Sequence, residues 1–139
     1  MAVDARETLR TIVAAALEAV DPEVAVHHHL ALGDGNIRVG DAVFPLDDRD
    51  RVLVIGAGKA GVPMSRAVEA TLRGLAYDGH VIVPHGQASV LERIQIHEAG
   101  HPVPDEAGVQ AGRAVLASLA DADEKTLVIC LISGGGSAL

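Results

Sequence analysis

The chain has 139 residues, of which 49 % are apolar, and its 19 acidic and 11 basic residues give a net charge of −8. This length predicts one domain, and the composition is too apolar for a disordered protein. The acidic balance disfavours nucleic acid as a partner, and no apolar run is long enough to cross a membrane. The single cysteine, Cys130, excludes an internal disulfide and is predicted to be a buried apolar residue. Together these features predict a cytoplasmic protein.

Residues 1–50 are predicted to form an amino-terminal segment of helices and a small β-hairpin. Apolar residues recur every three or four positions over residues 4–20, which is typical of an amphipathic helix. A second short helix is predicted from Pro22 to Leu30, with proline at its first position. Ile37–Val39 and Ala42–Leu46 are predicted to pair as the hairpin.

Residues 51–139 are predicted to begin a doubly wound, Rossmann-like α/β domain with a mostly parallel sheet. Strand-forming runs alternate here with helical patterns, which indicates crossover units. The predicted strands are Val52–Ile55, Gly79–Val83, Ile94–Glu98 and Thr126–Ile132, of which the first and last are expected to be buried on both faces. The predicted helices are Val62–Arg73, a helical turn at Ala88–Arg93, and Glu106–Leu119 with Asp105 as its N-cap.

A glycine-rich turn, Gly56–Gly61, lies between the first of these strands and its helix. Gly56 and Gly58 allow close approach of the backbone to a ligand, and free N–H groups at a helix start favour an anion. The pattern fits the dinucleotide motif G-x-G-x-x-G, but no carboxylate follows Val83 to bind a ribose, which weighs against a nicotinamide cofactor. Lys59 can neutralise a phosphate or carboxylate. The alternative is a turn that only solves a packing problem, with Lys59 solvated.

A second glycine loop follows the last predicted strand, at the edge where ligands of open parallel sheets bind. Its row of N–H groups and its two hydroxyls are suited to an anion, while the absence of the pattern G-x-S-x-G argues against a nucleophile elbow. The predicted ligand-binding residues are Ser133, Gly134, Gly135, Gly136 and Ser137. No helix follows this loop, so the domain is predicted to be incomplete, and the alternative interpretation is a flexible linker.

A loop stiffened by two prolines, Gly100–Glu106, follows the third predicted strand. His101 is a candidate ligand or acid–base group at the sheet edge. The alternative is a rigid loop in which Asp105 only caps a helix. His97 and His101 are four residues apart, but glycine and proline prevent the helix that would bring both to one metal. His27–His29 point about 100° apart on a helix, so no metal ligand is predicted.

These three motifs, in this order, resemble the amino-terminal part of the glycerate 2-kinase family. Members are also labelled hydroxypyruvate reductases and end in the MOFRL domain. The resemblance covers essentially the whole chain and rests on Gly56–Gly61, Gly100–Glu106 and Leu131–Leu139. It implies a domain forming one wall of a cleft, in which the γ-phosphoryl group of ATP, with Mg²⁺, is transferred to D-glycerate to give 2-phosphoglycerate. It also implies that Lys59 and His101 act in the site.

Family members are much longer than this chain and carry a second domain that faces the first. The resemblance therefore implies that the missing carboxyl-terminal domain is a partner and that this chain alone is inactive or weakly active. Its uncovered apolar sheet edge predicts self-association. Two other interpretations stay open. One is an NAD(P)H-dependent hydroxypyruvate reductase, and the other is a truncated, non-catalytic fragment that binds a ligand.

Overall fold

The structure is a computed structural model that describes residues 4–139. Its helices are α1 (Ala5–Ala19), α2 (Pro22–His29), α3 (Gly61–Thr71) and α4 (Glu106–Leu119). Its strands are β1 (Leu30–Gly33), β2 (Asn36–Val39), β3 (Ala42–Pro45), β4 (Arg51–Ala57), β5 (Asp78–Pro84), β6 (Ile94–Ala99) and β7 (Thr126–Ile132). A short 3-10 turn, Gly136–Ala138, follows β7. None of the described helices combines the length and the apolar character needed to cross a bilayer.

The larger sheet is parallel, with strand order β6-β5-β4-β7. On one face, Val68 of α3 packs in a core with Val54 and Val81 of the sheet. On the other face, Ala111 of α4 packs against Ile82. Helices on both faces of a parallel sheet confirm the predicted doubly wound α/β fold. The strand order reverses between β4 and β7, which makes that junction the topological switch point.

Three of the helices begin with an aspartate cap, and α3 does not. Asp4, Asp21 and Asp105 each accept a backbone N–H from the first turn of α1, α2 and α4. Such caps satisfy donors that have no partner inside the helix. The first turn of α3 follows Ala60, which makes no side-chain cap. The start of α3 is therefore set by the glycine turn before it.

The amino-terminal segment contains one more strand than predicted. β1, β2 and β3 form an antiparallel sheet, and β1 begins at Leu30, the last residue of the predicted second helix. Asp34 and Gly35 have φ values of 53° and 71°, the two positive values that a tight two-residue hairpin turn requires. Leu30 and Ile37 are buried in the same core as α3. The division of the chain at residue 50 stays a prediction.

The predicted helical turn at residues 88–93 is wrong, because side chains from elsewhere take up the backbone donors of this segment. The carboxylate of Glu69 accepts the N–H groups of three consecutive residues, 92–94, at 2.7–3.0 Å. The carboxylate of Glu98 accepts two more, from Gln87 and Ala88, at 2.7 and 2.9 Å. These acceptors stabilise an irregular connection between β5 and β6 that periodicity alone does not reveal.

The prediction that Cys130 is buried is also wrong. β7 is an edge strand of the described sheet, and α4 packs mainly against β5 and β6 on the face that carries Cys130. Val128 and Ile132 on the same face are 37 % and 64 % exposed. An open hollow of about 300 Å³ lies between this part of the sheet and α4, and its lining includes Cys130 and Leu116. β7 is therefore buried on one face and not on both.

The amphipathic helix predicted at the amino terminus is confirmed as α1, but it contains no buried residue. Its apolar stripe, from Leu9 to Val20, leaves the large side chains 57–72 % exposed. In the described part of the chain, α1 therefore contributes a second uncovered apolar surface in addition to the open face of β7. Contiguous exposed apolar surface of this kind favours association.

We expect the chain to self-associate through the open face of β7. The double substitution Val128→Lys with Ile132→Lys should then weaken the association by about tenfold or more, because it places charge on an apolar edge strand. Sedimentation velocity over a range of concentrations measures the effect. The matched control is Val90→Lys with Val103→Lys, since these valines are 99 % and 75 % exposed and lie in loops. Equal association of both double variants would assign self-association to another surface, such as α1.

Candidate anion-binding site

The predicted site residues lie at the switch point of the sheet. The turn after β4 carries Lys59, and the loop after β7 carries Gly134 and Gly135. β4 and β7 are adjacent and parallel, with Ala57 paired to Ile132, so both connections leave the same edge of the sheet. In open α/β sheets the crevice at this position is where ligands bind.

Backbone and hydroxyl hydrogen bonds join the two glycine loops into one unit. The N–H of Lys59 donates to the carbonyl of Gly134 at 3.0 Å, and the N–H of Ala60 donates to Ser133 Oγ at 3.0 Å. The N–H of Ser133 in turn donates to the carbonyl of Ala57 at 3.2 Å. Neither loop can move without the other, so Ser133 serves as a link between the two loops.

The glycines of the first turn permit close contacts with neighbouring strands. Gly58 has a φ of 138°, and a Cβ at this position would collide with the side chain and carbonyl of Ser133. A Cβ on Gly56 would collide with the backbone of Leu131 in β7. A Cβ on Gly61 would lie 2.7–2.8 Å from two valine side chains of β5. The structure thus gives each glycine a packing role, and ligand binding by Gly56 and Gly58 stays a prediction.

The first turn does not present the free amides that its sequence predicts. The N–H of Gly58 donates to the carbonyl of Ile82 at 3.0 Å, and the N–H of Gly61 donates to the carbonyl of Gly58 at 3.1 Å. The amides of Lys59 and Ala60 are held by the second loop, as described above. Of this turn, the Lys59 side chain is therefore the group best placed to meet an anion.

Lys59 and His101 converge over Gly135. A Cβ placed on Gly135 would lie 2.8 Å from His101 Nε2 and 3.2 Å from Lys59 Cε, and Gly135 has a φ of 93° that favours glycine. Among residues 4–139, no backbone carbonyl accepts the N–H of Gly134 or the N–H of Gly135. We call these two amides, together with the Lys59 and His101 side chains, the anion cradle. Its donors and its positive charge suit a phosphate or a carboxylate.

The two remaining predicted residues lie beside the anion cradle, in the 3-10 turn. Gly136 donates its N–H to the carbonyl of Ser133 at 3.2 Å, and a Cβ there would lie 2.9 Å from the carbonyl of Ala57. Ser137 is exposed. The structure therefore gives Gly136 a packing role against β4, and the Ser137 hydroxyl stays open to solvent.

His85 is at the same edge of the sheet and was not predicted as a site residue. It follows β5, and its Nε2 lies 2.7 Å from Asp105 Oδ2. Asp105 caps α4, as predicted, but its Oδ1 also accepts the N–H of Gly100. The sequence contained a signal for His85 as a site residue. His85 and His101 both follow predicted parallel strands, and the carboxyl ends of parallel strands lie at the same edge of the sheet.

Hydrogen bonds lower the pKa of Asp105 to about 2, from an ordinary value of 3.8; the bond from His85 has the largest effect, and those from Gly100 and Gly108 follow. Because the folded-state pKa is depressed, the stabilisation is present above about pH 4 and is lost as the pH falls from 3.8 towards 2.

We expect Asp105→Asn, which keeps an N-cap acceptor, to reduce the loss of folding stability between these pH values, because asparagine does not titrate there. Urea unfolding at several pH values measures the free energy of unfolding of both proteins. Parallel dependence of that free energy on pH in the variant and the unaltered chain would contradict the prediction.

The other histidines do not join the site. His80 Nδ1 and His97 Nε2 lie 2.9 Å apart on β5 and β6, and burial, followed by the neighbouring His80, lowers the pKa of His97. His27 Nδ1 lies 3.3 Å from Thr71 Oγ1 on α3. Among residues 4–139, no group of three or more histidines, cysteines, aspartates or glutamates is arranged to hold a metal ion.

Fold and site together define an α/β domain with a crevice at its topological switch point, where the candidate anion cradle lies. A family model described as "Domain of unknown function (DUF4147)" matches residues 8–139. The chain belongs to this family, and homologues named glycerate 2-kinase match it along its whole length, as the resemblance implied.

Relatives of known name have about three times the length of this chain. A glycerate 2-kinase of Pyrococcus horikoshii is 39 % identical over 100 % of this chain, which spans 31 % of that protein. A D-glycerate 2-kinase of Thermotoga maritima is 34 % identical over 92 % of this chain and 28 % of its own length. A relative in Agrobacterium vitis is named as a hydroxypyruvate reductase and is 39 % identical over 99 % of this chain and 28 % of its own length.

Two solved structures are similar to this chain. A crystal structure of a Pyrococcus horikoshii protein has a TM-score of 0.84 and 39 % identity, and the match covers 100 % of this chain and 31 % of that one. A crystal structure of the Thermotoga maritima glycerate kinase has a TM-score of 0.74 and 33 % identity, covering 96 % of this chain and 30 % of that one. The chain thus corresponds to somewhat less than a third of these relatives.

Proposed function

We propose that this chain is the amino-terminal part of a glycerate 2-kinase, which transfers the γ-phosphoryl group of ATP to D-glycerate and yields 2-phosphoglycerate. The observation that carries the proposal is the anion cradle, in which Lys59 and His101 meet over Gly135 at the switch point. The names of the relatives from Pyrococcus and Thermotoga support the choice of reaction.

Phosphoryl transfer depends on positioning and on stabilisation of negative charge, and the cradle supplies both from one side of a cleft. Lys59 neutralises charge on a phosphate or carboxylate oxygen. The amides of Gly134 and Gly135 donate hydrogen bonds to the same group, and His101 Nε2 lies beside it as an acid–base or hydrogen-bonding group. Ser133 holds the two loops in register through Ala60.

Magnesium would accompany ATP in this reaction, and residues 4–139 contain no group of three or more histidines, cysteines, aspartates or glutamates arranged to hold it. We propose that phosphate oxygens and the carboxyl-terminal part of the longer relatives complete its coordination. An open half of a cleft also cannot exclude water from the reacting groups. For both reasons we expect the 139-residue chain to be inactive or weakly active. A carboxyl-terminal MOFRL domain and a cytoplasmic location likewise stay predictions.

The second candidate is an NAD(P)H-dependent hydroxypyruvate reductase, supported by the name of the Agrobacterium relative. Two observations weigh against it. The residues after Val83 include no carboxylate for a ribose, and the amides of Gly58–Gly61 are engaged in hydrogen bonds that a dinucleotide pyrophosphate would need to replace. A third interpretation is a non-catalytic fragment that binds the ligand and does nothing further.

Calorimetric titration of the purified chain with magnesium-ATP, and separately with NADPH, tests the proposal. We expect heat of binding from magnesium-ATP and none from NADPH. Heat from NADPH alone would overturn the kinase assignment and favour the reductase. A chain extended to the length of its relatives can then be assayed for glycerate kinase activity. If the 139-residue chain binds ATP but the extended chain shows no such activity, the non-catalytic interpretation is supported.

A further inference from the structure

We propose that His85 and Asp105 are positioning residues for the anion cradle, because they fix the loop that places His101 over Gly135. This inference rests on the proposed function, since it concerns anion binding by the same site. It is carried by a series of contacts that runs from the end of β5, through Asp105, to the end of β6.

The first contacts fix His85 to the sheet edge and to Asp105. The N–H of His85 donates to the carbonyl of Ala99 at 3.0 Å, which joins the ends of β5 and β6. The imidazole Nε2 of His85 lies 2.7 Å from Asp105 Oδ2, within hydrogen-bond distance of the carboxylate. A histidine that donates from Nε2 to a carboxylate restrains both partners in position and orientation.

The second contacts run from Asp105 to the loop that carries His101. Asp105 Oδ1 accepts the N–H of Gly100 at 3.0 Å and the N–H of Gly108 at 2.9 Å. A Cβ on Gly100 would lie 2.9 Å from Asp105 Cγ, so the backbone approaches the carboxylate as closely as glycine allows. Gly100 immediately precedes His101. One carboxylate therefore fixes the start of the loop, the end of the loop and the first turn of α4.

Helix capping does not account for the pairing of Asp105 with His85. The cap uses Oδ1, and an asparagine would provide it equally well. The side chains of His85 and Asp105 are 56 % and 38 % exposed, so solvent screens their attraction and reduces what it adds to folding stability. What the pair does restrain is the orientation of the Asp105 carboxylate, and through Gly100 the position of His101.

The test compares His85→Ala with His85→Gln, because the glutamine amide nitrogen can occupy the place of Nε2 and donate to Asp105. His80→Ala is the matched control, since it removes an imidazole within β5 whose partner is His97 and not Asp105. Two-dimensional NMR of the ligand-free chain reports the His101 ring and the Gly135 amide. Titration with inorganic phosphate then gives the affinity of the anion cradle.

We expect His85→Ala to shift the His101 and Gly135 signals and to weaken phosphate binding roughly three- to tenfold. His85→Gln should restore both readouts to within about twofold of the unaltered chain, and His80→Ala should leave both unchanged. Asp105→Ser, which keeps an N-cap acceptor but removes the carboxylate oxygen that His85 meets, should reproduce the effect of His85→Ala and serves as a second variant if the alanine variant does not fold.

Unchanged His101 and Gly135 signals in His85→Ala would overturn the positioning role, and so would equal effects of the alanine and glutamine variants. Failure of the proposed function looks different. If the unaltered chain binds no phosphate while His85→Ala still shifts the His101 signals, the anion cradle loses its function and the positioning role of His85 is supported.

Discussion

Replacement of Gly58 by alanine should cost the folded chain about 3 kcal/mol or more, a loss at the high end for single substitutions. Two effects add at this position. A φ of 138° is strained for any residue with a Cβ, and that Cβ would collide with Ser133, its carbonyl carbon lying 2.9 Å away. Backbone atoms cannot move aside as a flexible side chain can, so the two glycine loops would have to separate. Chemical denaturation followed by circular dichroism measures the loss.

Gly74→Ala is the matched control for this prediction. Gly74 also has a positive φ, of 90°, but a Cβ there would meet no atom within 4 Å. Its substitution should therefore cost only the backbone strain, about 1 kcal/mol. The difference between the two variants isolates the contact with Ser133. Equal losses would mean that the interlocking of the loops contributes nothing to stability.

Lys59→Met should weaken binding of phosphate or magnesium-ATP by about ten- to a hundredfold, because it removes a charge-assisted contact while preserving the length of the side chain. In a complete enzyme the same change should lower turnover by roughly a hundredfold or more, since charge stabilisation is the main task of the protein in phosphoryl transfer. Lys59 is exposed, so the fold should be unaffected. Phosphate titration by NMR measures the affinity.

The chain offers a close control, because its only other lysine is Lys125. Lys125 Nζ lies 3.4 Å from Asp50 Oδ2 and is not part of the anion cradle. Lys125→Met changes the net charge by the same amount, so it reproduces any general effect on the approach of an anion. A similar loss of affinity in both variants would remove Lys59 from the site.

The secondary structure and the class of fold were predictable wherever a local pattern decides the outcome. Apolar periodicity placed α1, the N-cap Asp105 placed the start of α4, and uninterrupted strand-forming runs placed β4 and β7. The alternation of these elements was enough to predict a parallel, doubly wound sheet. The prediction of a helical turn at residues 88–93 was wrong because side chains distant in sequence determine the structure there. The carboxylates of Glu69 and Glu98 accept the backbone N–H groups of this irregular segment.

The site shows the same division. The strand pattern was enough to predict which residues follow the strands, and therefore that Lys59, His101 and the glycines of the second loop share one edge of the sheet. The engaged amides of the first turn, and the meeting of Lys59 with His101 over Gly135, are seen only in the folded chain. The same is true of the contact between His85 and Asp105, which are twenty residues apart in sequence. A strand pattern indicates where a residue lies along the sheet, whereas its hydrogen-bond partners come from distant segments that only folding brings together.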